Sequence, residues 1–250
     1  MTRLILFGLA ACTGTPSAVD SGPRSPGSLR LANLEASARG ACIGLDESPT
    51  WSRQEVPARQ ATAPVAVEGT AARVRWIEPA AECDAPGVPE IAVDFVESPS
   101  WVVAARHAGA IAFEEPTAEV VEGRFFVGFF HGAEDLGDVS VKQGSCDVPF
   151  AAFERVAPGT VGLSPNNDGP LFSAAVTAGS DRFVTDVVIC TVPAGDEVLR
   201  IAEHTFVGGV RELHLLSGDG SAEHPYGLTR CREPAPPDAP CDLLIPVAPP

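Results

Sequence analysis

Val127-Gly-Phe-Phe-His131-Gly-Ala-Glu-Asp135-Leu-Gly-Asp138-Val-Ser-Val141 is the stretch on which the fold turns. An apolar run ends on a histidine, a polar and glycine-bearing stretch follows, and Val139 and Val141 then alternate with Asp138, Ser140 and Lys142. Successive side chains of a strand point to opposite faces, so alternation at period two marks a strand with one buried face. The stretch therefore predicts strand, turn, strand. Working outward, Ile91, Val93 and Phe95 alternate with Ala92 and Asp94, and Arg211, Leu213 and Leu215 alternate with Glu212 and His214. Further apolar runs lie at 29–34, 73–77, 101–105, 125–130 and 183–192, with Gly, Pro, Asn or Asp between many of them. No stretch sustains a 3.6-residue apolar repeat. Many short strands separated by turn residues predict an all-β chain of antiparallel sandwiches.

Comparing the chain with itself divides it in two. Arg30-Leu-Ala-Asn33 corresponds to Gly128-Phe-Phe-His131 at an offset of 98, and Val56-Pro57 to Val156-Ala157-Pro158 at about 100. Cys83-Asp-Ala-Pro86-Gly87 corresponds to Cys190-Thr-Val-Pro193-Ala-Gly195 at 107, and Trp101 onward to Arg211 onward at about 110. Offsets that rise in order are those of a duplication with small insertions. The expected organisation is repeat 1 over 29–120, repeat 2 over 121–230 and a Pro-rich C-terminal segment over 231–250. One feature fits poorly: Cys42 lies inside its predicted strand, whereas Cys146 lies beyond the equivalent one.

The opening run of the second repeat resembles the bacterial surface domain of unknown function 4397, with His131 matching its histidine and Asp138-Val139 its second strand. Asn33 replaces that histidine in the first repeat. The resemblance implies two tandem immunoglobulin-like antiparallel β-sandwich domains and assigns no activity.

At the N-terminus, Arg3, the apolar Leu4–Leu9 and the small residues Ala10 and Ala11 follow the grammar of a secretory signal. The apolar run is far short of the ~20 residues that span a bilayer. Leu9-Ala10-Ala11-Cys12 resembles a bacterial lipobox, which implies removal of a signal peptide over 1–11 and a lipid anchor of diacylglycerol and palmitate on Cys12. Of residues 13–28, twelve are Gly, Pro, Ser or Thr, so 12–28 reads as a lipidated, flexible tether. Thr13 stands where an Asp would imply retention at the inner membrane, so the resemblance implies the outer membrane, on its periplasmic face or at the cell surface.

The formal charge of −16 argues against nucleic-acid binding, which needs clustered Lys and Arg, and against lying flat on anionic lipid. Assigning Cys12 to lipid leaves six of the seven cysteines, an even number that reads as disulfides in an exported chain. Fifteen pairings are possible. Keeping each link local to one unit favours Cys42 with Cys83, Cys146 with Cys190 and Cys231 with Cys241. There is no CxxC pair and no regularly spaced histidine partner, so neither a metal nor another cofactor is expected.

Candidate sites are sparse. His131, Glu134, Asp135 and Asp138 form the densest polar cluster; it lacks the ligand order of a calcium loop and reads as a solvated turn with His131 bonded locally. Ser164-Pro-Asn-Asn-Asp168-Gly169 reads as a loop. No GxSxG elbow is present, and His107, His204, His214 and His224 have no diagnostic nucleophile nearby. Glu114 and Glu115 read as solvated strand positions, and Trp51, Trp76 and Trp101 as core or half-buried packing. The expectation is a non-catalytic, lipid-anchored cell-envelope module for binding or adhesion, its partner another envelope protein or a matrix component. The alternatives are a hydrolase with a site assembled across the chain and a structural spacer.

Overall fold

The computed structural model describes residues 27–46, 48–165, 169–176, 178–234 and 241–244. The expected signal segment, Cys12, nearly all of the expected tether, residues 166–168 and most of the Pro-rich segment lie outside the described residues.

The described chain is all β. The first repeat contains β1 (Gly27–Asn33), β2 (Arg39–Leu45), β3 (Trp51–Val56), β4 (Gln60–Ala61), β5 (Val65–Val67), β6 (Ala71–Ile77), β7 (Glu90–Asp94), β8 (Ser100–Ala105) and β9 (Ile111–Glu114). The second contains β10 (Arg124–His131), β11 (Val139–Gln143), β12 (Ala151–Val156), β13 (Leu171–Ala175), β14 (Arg182–Thr191), β15 (Glu197–Val207), β16 (Arg211–Ser217), β17 (Gly227–Glu233) and β18 (Cys241–Leu244).

Each repeat is a sandwich of an outer and an inner sheet. The outer sheets run β3-β2-β6-β7 and β12-β11-β14-β15, and the inner sheets β4-β1-β8-β9 and β13-β10-β16-β17-β18. These orders match strand for strand, with β5 added beside β1 and β18 beside β17. Most ladders are antiparallel, but the two central inner ladders, β1 with β8 and β10 with β16, are parallel. The same backbone bond closes both: Leu34 N–H donates to Ala105 O (3.0 Å), and Gly132 N–H to Leu216 O (2.9 Å). These bonds fix the duplication at an offset of 98 on the first inner strand and 111 on the second.

The inner sheets also pack on each other. In β1, Leu29 and Leu31 face their own outer sheet, whereas Ala32, with Leu34 just beyond the strand, joins Phe130, Leu213 and Leu215 of the second repeat in a shared core. The chain is thus a stack of four sheets with three apolar layers. Parallel ladders normally occur where both faces are covered, and these obey that rule. Each fully buried leucine here contributes about 1.5–3 kcal/mol.

Burial on both faces revises three readings. Glu115, expected to be solvated, is 4% exposed and ion-paired to Arg30. Glu212 and His214, expected on the polar side of an alternating strand, are each 1% exposed, because they point into the second sandwich. The boundary at 230 cuts through β17, and Cys241–Leu244 extends the second inner sheet.

The disulfides join Cys42 to Cys83, Cys146 to Cys190, and Cys231 to Cys241. They also explain the misfit of Cys42 and Cys146. Cys42 lies on β2 and reaches the segment after β6, whereas Cys190 lies on β14, the equivalent of β6, and reaches the segment after β11. The two bridges therefore link equivalent strand pairs in opposite senses. With Val56 matched to Val156, ladder register carries Arg39 to Val139, Gly40 to Ser140 and so Ile77, not Cys83, to the position of Cys190 in the duplication. The similarity of Cys83 and Cys190 reflects only the Pro-Gly turn leading into the next strand.

Candidate functional site

Four turns meet at one end of the stack, and the duplication makes them two equivalent pairs. The turn after β1 supplies Leu34 to Ser37, and its equivalent after β10 supplies Gly132, Glu134 and Asp135. The turn after β8 supplies Arg106 and His107, and its equivalent after β16 supplies Gly218, Asp219 and His224. They enclose a cleft of about 260 Å³ at the carboxyl ends of all four central inner strands.

Each wall is held locally. Asn33 and His131 are the last residues of β1 and β10, both 0% exposed. Asn33 Nδ2 donates to Ser37 O (2.8 Å) and Val56 O (3.0 Å), while His131 Nε2 donates to Gly137 O (3.0 Å). Each side chain thus ties a strand end to its own turn. Burial lowers the His131 pKa and keeps its imidazole neutral at neutral pH. Gly218, at a φ of 105°, closes another wall where a Cβ would lie 2.5 Å from Pro225 O. Only glycine fits that combination of backbone angle and approach.

The lining is polar and charged. Arg106 reaches across the junction to Glu134 (3.0 Å), which also accepts from Ala108 N–H (2.9 Å). Asp219 accepts from Ser221, which lowers its pKa. Burial lowers the pKa of His224, and nearby Arg59 adds to the shift. Arg106 Nε and His224 Nε2 are buried and make no hydrogen bond. Buried polar atoms normally have partners, so two orphans in the lining of one cleft mark it as a place where a ligand could satisfy them.

The polar cluster around His131 is divided by the fold. Glu134 and Asp135 line the cleft, His131 lies beneath it, and Asp138 turns away to within 3.6 Å of Arg155. Ser164 N–H donates to Gly169 O (2.7 Å), closing the loop that the sequence led one to expect there. Trp51 stacks beneath Arg73 and Arg75 on an outer sheet, and Trp76 and Trp101 pack against the first core. Sequence reasoning missed the cleft because its residues come from four turns up to 190 positions apart.

No protein-family model matches the chain, and no curated protein matches it. Among solved structures, a "putative adhesin" of Bacteroides thetaiotaomicron is similar at 8% identity over 84% of this chain and 97% of that one, with a TM-score of 0.22. So distant a likeness carries no argument. The function must be read from the chain itself.

A second polar group lies inside the second sandwich. Glu212 Oε2 is 2.9 Å from His204 Nε2 and 2.8 Å from His214 Nε2. Burial opposes ionisation of Glu212, but the two histidine hydrogen bonds outweigh it and lower its pKa to about 2. Burial lowers the pKa of His214 and keeps it neutral at neutral pH. The alternation read along β16 gave no sign of this trio, because His204 arrives from the facing sheet.

Proposed function

We propose that the protein is a non-catalytic, lipid-anchored binding module of the bacterial cell envelope, and that the cleft between its repeats receives the partner. The placement of the cleft carries this reading. The tether joins the fold at the start of β1, and the cleft lies past the end of the same strand, about 20 Å away at the rise of an extended chain. An anchor at Cys12 would therefore leave the cleft at the end of the fold opposite its point of attachment, open to a partner. Its carboxylates Asp135 and Asp219 accept hydrogen bonds and the unpartnered Arg106 Nε donates one, which favours hydroxyl-bearing groups that can do both, such as an envelope glycan, over a purely cationic partner.

The test uses the purified chain against immobilised basic peptides and envelope glycans, with ester, peptide and glycoside hydrolysis assayed in parallel. Capture of a defined probe, lost in Asp135→Asn/Asp219→Asn, is expected without turnover. Reproducible turnover that disappears in folded His107→Ala or His224→Ala would replace this reading with the hydrolase alternative. Absence of both capture and turnover would favour the spacer.

A further inference from the structure

We infer that His204, Glu212 and His214 form a binding site for a divalent transition metal of the zinc class inside the second sandwich. Their ligand atoms all lie within 4.8 Å of one another, and the two imidazole rings stand 5.3 Å apart at 85°. Both Nε2 atoms aim at the same carboxylate oxygen. Two imidazoles and one carboxylate are a recognised donor set for Zn²⁺, leaving a fourth position for solvent or a small anion. A tetrahedral ion bound at about 2.0–2.1 Å needs donors separated by roughly 3.3 Å. The bonded donor pairs need to open by only a few tenths of an ångström. Each imidazole must then carry its proton on Nδ1, so that the Nε2 lone pair faces the ion.

The duplication supplies an independent argument. Carried outward from the match of Val56 with Val156, ladder register puts Ile77 at Cys190 and Ala72 at Thr185, and so places His204, the partner of Thr185, at the position of Val93, the partner of Ala72. The offset of 111 places Glu212 at Trp101 and His214 at Val103. Val93 and Val103 are core residues of the first repeat, and Trp101 packs against that core. The fold is therefore built with apolar residues at all three positions, and only the second repeat buries donors there. Burying such a trio is costly unless its groups are partnered, yet Glu212 Oε1 has no hydrogen-bond partner. Arg230 is 3.9 Å from that oxygen, but its guanidinium is held by Asp242 at 3.1 and 2.5 Å. An open cavity of about 460 Å³ bordered by His204 and Arg230 provides an approach for the ion.

The experiment is calorimetric titration of untagged, chelator-stripped protein with ZnCl₂, and with CoCl₂ followed by visible absorption. One equivalent is expected to bind, with the intense ligand-field bands of four-coordinate Co²⁺. His204→Val and His214→Val import the residues of the first repeat; each is expected to keep its β circular dichroism and weaken binding at least 100-fold. Glu212→Gln, which preserves shape, provides a second readout and is expected to weaken binding at least tenfold. Absence of a stoichiometric site in the folded wild-type chain would overturn the inference, as would equal affinity in the three variants.

Discussion

Arg30 of the first repeat and Glu233 of the second meet across the junction, Nη2 to Oε1, at 2.7 Å. The same guanidinium holds Glu115 at 2.9 Å and donates to Thr62 O at 2.9 Å, while Arg211 takes the other oxygen of Glu233. Arg30 is 1% exposed, so one buried cation ties together two carboxylates from different repeats. A buried pair of this kind need not exceed an apolar replacement in stability, but removing one member strands the other.

Arg30→Met is therefore expected to lower stability by about 3–5 kcal/mol, because Glu115 is left charged and buried. Adding Glu115→Gln should recover a large part of that loss. Urea denaturation of the two variants measures it, and equal midpoints for the single and double variants would refute the coupling.

The disulfides should differ in their contribution to stability. In the chain-entropy model, links closing 41 and 44 residues stabilise by about 4 kcal/mol each and one closing 10 residues by about 3 kcal/mol. Paired Cys→Ser variants in denaturant test this order. Peptide mapping without reductant should recover three linkages, each within one repeat.

Acid should destabilise the fold in two stages. His214 and His131 have lowered folded pKa values, so the unfolded chain takes up more protons as pH falls through the ordinary histidine value near 6.5. Stability then falls. Between about 4.5 and about 2 the unfolded chain also binds the proton that folded Glu212 refuses, and stability falls further. Thermal melts from pH 8 to pH 3 should show both stages, with the first reduced in His214→Val.

Cys12→Ala is expected to move the protein out of the membrane fraction and remove the lipid mass from its N-terminal peptide. Fractionation with mass spectrometry checks both. Membrane retention of the variant would exclude Cys12 as the anchor.

The alternation around Val139, the ordered offsets and the even cysteine remainder determined an all-β, duplicated, disulfide-bearing chain. Those properties follow from local periodicity and counting, which need no knowledge of what packs against what. Period two along β16 separated Glu212 and His214 from Leu213 and Leu215 correctly, yet it could not say that both faces are covered. Only the packing of one inner sheet on the other decided that, and with it the burial of Arg30 and Glu115. The cleft and the His204–Glu212–His214 trio are likewise tertiary products. Their members come from separate turns or facing sheets, and proximity across a sandwich leaves no signal in the spacing of residues along a strand.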